Sequence, residues 1–150
     1  MRGIATQMKL AIALALATIA GQAPAQAPPL PNPILYLTGL EYFSNAAGNF
    51  TRYRYDVANK SSYPAAMFAA APSLPPCGAN ASSARTWVDV FAGRTNQRLQ
   101  GFCALSSPQQ LGNIWFALPE GQVPPSYVYI ELTDRQTNTR YRSNLADTTL

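Results

Sequence analysis

The chain contains no histidine, only two cysteines and only seven acidic residues among 150. Each scarcity removes a class of chemistry. Without histidine, a Ser–His–Asp hydrolase lacks its usual base, and metal sites lose their commonest ligand. Two cysteines cannot supply a four-ligand zinc set. Cys77 and Cys103 also lack the Cys-x-x-Cys spacing of thioredoxin-like redox sites. The acids Glu41, Asp56, Asp89, Glu120, Glu131, Asp134 and Asp147 are dispersed, with no two at a recognisable acid/base spacing. The segment Asp134 to Asn138 offers one acid and two amides, too few for a calcium loop. No glycine-rich phosphate loop is present. The expectation is a protein that is not an enzyme, with no catalytic residue, no metal ligand and no cofactor.

The N-terminus is read as a secretory signal peptide, residues 1–27. Arg2 and Lys9 give it a positive start, Leu10 to Ala20 is an unbroken apolar run, and Ala25-Gln26-Ala27 fits the small-x-small cleavage rule. The apolar run falls short of the roughly 18 residues that a bilayer span needs. Charges or prolines interrupt every later apolar stretch, so no membrane span is expected after cleavage. Removing 27 of 150 residues leaves 123, enough for one domain with a sizeable core. It also removes Arg2 and Lys9, so the formal charge drops from +4 to +2. That charge, with arginines scattered over strands and turns, does not suggest a nucleic-acid partner. The protein is expected in the periplasm or outside the cell. In that setting an even cysteine count reads as a Cys77–Cys103 disulfide. Closing its loop would stabilise the fold by about 3.5 kcal/mol on the chain-entropy account.

Residues 28–33 form a proline-rich lead-in, expected to run extended and mobile. From residue 34 to 150 the chain reads as one β-domain. Strand candidates are Ile34 to Phe43, Phe50 to Ala58, Arg85 to Ala92, Arg98 to Leu105, Ile114 to Leu118, Tyr127 to Thr133 and Arg140 to Leu145. Phe50 to Ala58 alternates most clearly. Thr51, Tyr53, Tyr55 and Val57 fall on one face, and Phe50, Arg52, Arg54 and Asp56 on the other. The first face is expected in the core and Arg52 and Arg54 in solvent. Ala65 to Ala71 suits helix or strand equally. Pro72 to Ser83 reads as a loop by composition. No amphipathic helix is visible, and 13 prolines oppose a helical bundle. The fold class is therefore all-β: an antiparallel two-sheet sandwich of seven to eight short strands.

Strand number, domain length and the closing hairpin (Tyr127-Val-Tyr-Ile-Glu-Leu, then Tyr141-Arg-Ser-Asn) resemble an immunoglobulin-like or fibronectin type III-like β-sandwich. The stretches Leu74-Pro-Pro-Cys-Gly, Arg85-Thr-Trp-Val-Asp-Val, Gly101-Phe-Cys-Ala-Leu and Ile114-Trp-Phe-Ala-Leu are similar to a module of uncharacterised exported bacterial proteins. The resemblance implies a sandwich and no particular catalysis. Trp87 lies between the two cysteines, as in immunoglobulin domains, but Cys77 sits in a proline-rich loop. The bridge is therefore expected to staple a loop and not to pin the two sheets.

All eight tyrosines, six phenylalanines and two tryptophans lie beyond the signal segment. Tyr127, Tyr129 and Glu131 share the polar face of one strand and form the candidate ligand-binding group, where tyrosine rings can stack on a sugar or grip a protein. Cross-strand packing is the structural alternative. Trp87 and Trp115 are expected in the core or at the rim. The leading expectation is an exported non-enzymatic module that binds a protein or envelope component or supports an assembly. The alternative is a carbohydrate-binding module using the tyrosine face.

Overall fold

A computed structural model describes residues 29–77 and 83–150. The expected signal peptide, Pro28 and the middle of the Pro72–Ser83 loop lie outside the described residues. Eight strands follow in order: β1 (Leu35–Asn45), β2 (Gly48–Val57), β3 (Thr86–Ala92), β4 (Arg98–Phe102), β5 (Ile114–Pro119), β6 (Tyr127–Asp134), β7 (Thr139–Arg142) and β8 (Ala146–Asp147). They form two sheets, one in the order β1-β2-β5 and one in the order β4-β3-β6-β7, with β8 also on β6. Every pairing is antiparallel. The architecture is the all-β two-sheet sandwich that the strand pattern predicts.

Alternation decides which side chains fill the core. On β2, Tyr53, Tyr55 and Val57 are buried; on β6, Val128, Ile130 and Leu132 are fully enclosed. Val88 and Val90 of β3 and Ile114 and Phe116 of β5 complete the layer between the sheets. Each such side chain contributes about 1.5–3 kcal/mol by leaving water. Tyr53 stacks on Phe116 at 4.7 Å, and the Tyr55 hydroxyl donates to the Asp147 carbonyl at 3.0 Å. That bond ties the first sheet to β8 and gives a buried phenol its acceptor. Burial, with the neighbouring Tyr53 and Asp147, drives the Tyr55 pKa well above that of a free phenol.

Several segments depart from their local sequence signals. Ala65–Phe68 forms a 3₁₀ turn that buries Met67 and Phe68, and Ala70 then makes a single bridge to Ala84. The ambiguous alanine-rich segment thus does a little of each. A further 3₁₀ segment, Pro108–Asn113, leads into β5 and buries Leu111. The expected last strand, Arg140 to Leu145, breaks after Arg142. There the Ser143 hydroxyl accepts from the Ile130 amide at 2.9 Å. Asn144 turns to the other sheet, accepting from the Leu35 amide at 2.8 Å and donating to the Leu35 carbonyl at 2.9 Å. Side chains replace ladder bonds at the break. The lead-in is extended but tied down: Tyr63 donates to the Pro31 carbonyl at 2.7 Å, Asn59 donates to the Asn32 carbonyl at 2.9 Å, and Leu30 packs on the core.

Cys77 and Cys103 are bonded, with Cα atoms 6.1 Å apart. Cys103 follows β4 directly, so the bridge holds the proline-rich loop against the end of that strand. A disulfide marks an oxidising, non-cytoplasmic compartment. No helix of the described residues is long and apolar enough to cross a membrane.

Candidate functional site

Five of the seven acids are ion-paired. Glu41 pairs with Arg52 and Arg54, both at 3.2 Å; Asp56 pairs with Lys60 at 2.7 Å, Asp89 with Arg98 at 2.6 Å, Asp134 with Arg85 at 2.7 Å and Glu131 with Arg140 at 3.3 Å. Burial alone would raise the Asp56 carboxyl, but hydrogen bonds from Lys60 and Tyr36 and the Lys60 charge hold it below the usual range. The Arg85 hydrogen bonds keep Asp134 low against its burial, helped by Thr137 and the Gln136 amide. A general acid needs the opposite shift. Among the described residues, no group of three potential ligands could hold a metal ion.

Tyr127, Tyr129 and Glu131 do share the outer face of β6, but they do not form one open platform. Tyr129 is only 5% exposed. Its ring stacks on Phe91 at 5.2 Å, the Arg142 guanidinium lies 3.8 Å from its centroid, and its hydroxyl donates to Asn96 at 3.0 Å. β3 and β7 flank β6, so Phe91 and Arg142 cover that ring from opposite sides. Glu131 is engaged by Arg140 and lies opposite Asp89. Tyr127 remains accessible, at 48% exposure. The covering residues are visible only once register is known: Phe91 pairs directly with Tyr129, and Arg142 with Glu131.

Both tryptophans stand on outer faces, half-buried under arginines, and not in the core. Arg135 lies 3.9 Å from the Trp87 centroid and also donates to the Ala84 and Pro75 carbonyls. On the other sheet, Arg52 lies between Phe43 at 4.6 Å and Trp115 at 4.7 Å. Its side chain is 27% exposed, against 48% for Arg54. Arg54 thus meets the expectation of a solvent-facing arginine, while Arg52 is largely covered. The cause is again register: β1 and β5 flank β2 and place an aromatic ring on each side of Arg52.

Two features stand out from this tiled surface. The first is the edge of β1. This strand is hydrogen-bonded to β2, and among the described residues no strand pairs with its other side. Asn144 caps that side at Leu35 only. Beside it a groove of about 300 Å³ is lined by Tyr36, Leu37, Leu145 and Ala146. Tyr36, Leu145 and Tyr127 are exposed. Leu145 and Tyr127 meet over Gly93, where an added methyl would lie 3.0 and 3.2 Å from them.

The second feature is the β1–β2 hairpin end. Its turn is fixed by the Asn45 side chain accepting from the Ala47 amide at 2.8 Å, and by Gly48 at φ 126°, a conformation suited to glycine. Ser44 donates to Asn49 at 2.7 Å, and Asn49 donates to Glu120 at 2.9 Å. These residues, with Tyr42 and Thr51, line a second groove of about 300 Å³.

Comparison with known proteins finds no matching family model, no matching curated protein and no matching solved structure.

Proposed function

We propose that this chain is an exported, non-enzymatic β-sandwich module that binds a protein component of the cell envelope along the open edge of β1, in the periplasm or outside the cell. The observation that carries the reading is the edge itself. Among the described residues, the 11-residue strand β1 has one side without a strand partner, beside a groove lined by the exposed side chains Tyr36 and Leu145. An extended segment of a partner can add to such an edge through main-chain hydrogen bonds, with side-chain pockets giving selectivity. The register shift between Leu37 and Gly39 is the kind of irregularity that limits indiscriminate strand addition. Asp56 and Asp134, ion-paired and held below the usual carboxylate range, are not poised as general acids, which supports a binding role. The disulfide supports export.

Eight short antiparallel strands in two sheets support the immunoglobulin-like or fibronectin type III-like assignment as part of this proposal. The outer-face position of Trp87 departs from the buried tryptophan of immunoglobulin domains.

The test is a pull-down of envelope proteins with the exported protein, run beside Tyr36→Lys/Leu145→Lys and Arg98→Ala variants. The proposal expects one partner retained by the wild type and Arg98→Ala and lost with the double lysine variant. Undiminished retention by the double variant, or no retained partner, would contradict it.

A further inference from the structure

The inner face of the β1–β2 hairpin carries a polar groove that the edge-docking proposal does not use. Side chains two apart on a strand share a face. Leu40 packs on the core and pairs with buried Tyr53, so Tyr42 and Ser44 continue the core-facing row of β1. Yet Tyr42 is 78% exposed. The facing sheet does not reach this part of the hairpin, and one face of a tyrosine row is left open where packing would normally cover it.

The polar groups beside Tyr42 are held in a fixed order. Ser44 donates to the Asn49 side-chain oxygen, so the Asn49 amide nitrogen points to Glu120 Oε2. The Glu120 amide also donates to the Asn49 carbonyl at 2.9 Å, which anchors the end of β5 to the hairpin. Glu120 Oε1 takes no part in these bonds. The groove thus offers the open Tyr42 ring, one free carboxylate oxygen, an oriented amide and two hydroxyls, from Ser44 and Thr51, with Phe43 and Phe50 completing its lining. It contains no cation. Its volume is at the small end of about 300–1,000 Å³ for small-molecule sites.

From this set we infer that the hairpin groove binds a neutral saccharide. A pyranose presents a C–H face that stacks on a tyrosine ring, and vicinal hydroxyls that donate to a carboxylate and accept from an amide. An anionic ligand is disfavoured by Glu120 without a neighbouring cation. A purely apolar ligand would strand the Ser44–Asn49–Glu120 chain.

Affinity electrophoresis of the exported protein through gels containing soluble β-1,4-glucan, β-1,3-glucan, α-1,4-glucan or chitin oligosaccharide tests this. Calorimetry then measures the Kd of any glycan that retards migration. At least one neutral glycan should retard the protein. Tyr42→Ala and Glu120→Ala should each weaken binding at least tenfold, and Tyr42→Trp should preserve it. Tyr36→Lys/Leu145→Lys should leave it unchanged, which separates this groove from the β1 edge. Tyr42 is exposed, so its loss should not unfold the domain, and an unchanged melting temperature verifies that. No retardation by any of the four glycans, or equal binding by wild type and Tyr42→Ala, would overturn the inference.

Discussion

Arg85 and Asp134 form a two-pronged pair: Arg85 Nε and Nη2 donate to the two oxygens of Asp134 at 2.8 and 2.7 Å. The pair ties the residue before β3 to the end of β6. Asp134 also accepts from the Thr137 hydroxyl at 2.9 Å and the Gln136 amide at 3.1 Å, which shapes the β6–β7 turn. One carboxylate therefore serves a strand pairing and a turn together.

Because the folded Asp134 carboxyl titrates below its unfolded value, its stabilisation is fully present above the unfolded pKa and is lost as pH falls through the folded one. Asp134→Asn should cost about 2–4 kcal/mol at pH 7, since it leaves a partly buried guanidinium without its charge partner. The variant should lose less further stability than the wild type below about pH 4. Urea melts at pH 7 and pH 3 check both. Parallel losses in the two proteins would remove Asp134 from the acid response.

Tyr55 and Arg54 are neighbours with opposite fates. Tyr55 is enclosed and Arg54 is exposed. Tyr55→Ala should cost about 3–5 kcal/mol, and Arg54→Ala no more than about 0.5 kcal/mol. Denaturant midpoints of the two variants measure the register of β2 directly. A larger loss for Arg54→Ala would mean the strand is turned over.

Arg52 should behave unlike Arg54 although both pair with Glu41. Its guanidinium lies between Phe43 and Trp115, an arrangement worth about 1–2 kcal/mol when partly desolvated. Arg52→Lys keeps the charge and loses the planar stack, so it should be less stable by about 1 kcal/mol. Thermal melts of the two lysine variants compare them. Equal effects of Arg52→Lys and Arg54→Lys would show that charge alone matters.

Cys77 and Cys103 should resist thiol reagents in denaturant until a reductant is added. The Cys77→Ser/Cys103→Ser variant should lose about 3.5 kcal/mol. Modification of both cysteines without reductant would refute the bridge.

The parts of this fold that could be read from sequence are those whose periodicity is local. Tyr53, Tyr55 and Val57 alternate with Arg52, Arg54 and Asp56, and the structure buries the first set. Val128, Ile130 and Leu132 on β6 behave the same way. The strand break at Ser143 was not readable in this way, because its cause is Asn144 bonding to Leu35, 109 positions away. The cover on Tyr129 depends on Phe91 and Arg142 from two other strands. Tyr42 shows the reverse effect: the register shift between Leu37 and Gly39 places it in the core-facing row with Leu40, yet it stays exposed.

Hydrogen exchange of the β1 backbone, read residue by residue with and without the retained envelope partner, tests the docking proposal most directly. The account predicts that amides between Tyr36 and Glu41 gain protection in the complex, while the outer face of β6 around Tyr129 and Glu131 does not change. Protection gained on that outer face alone, with β1 unchanged, would contradict it.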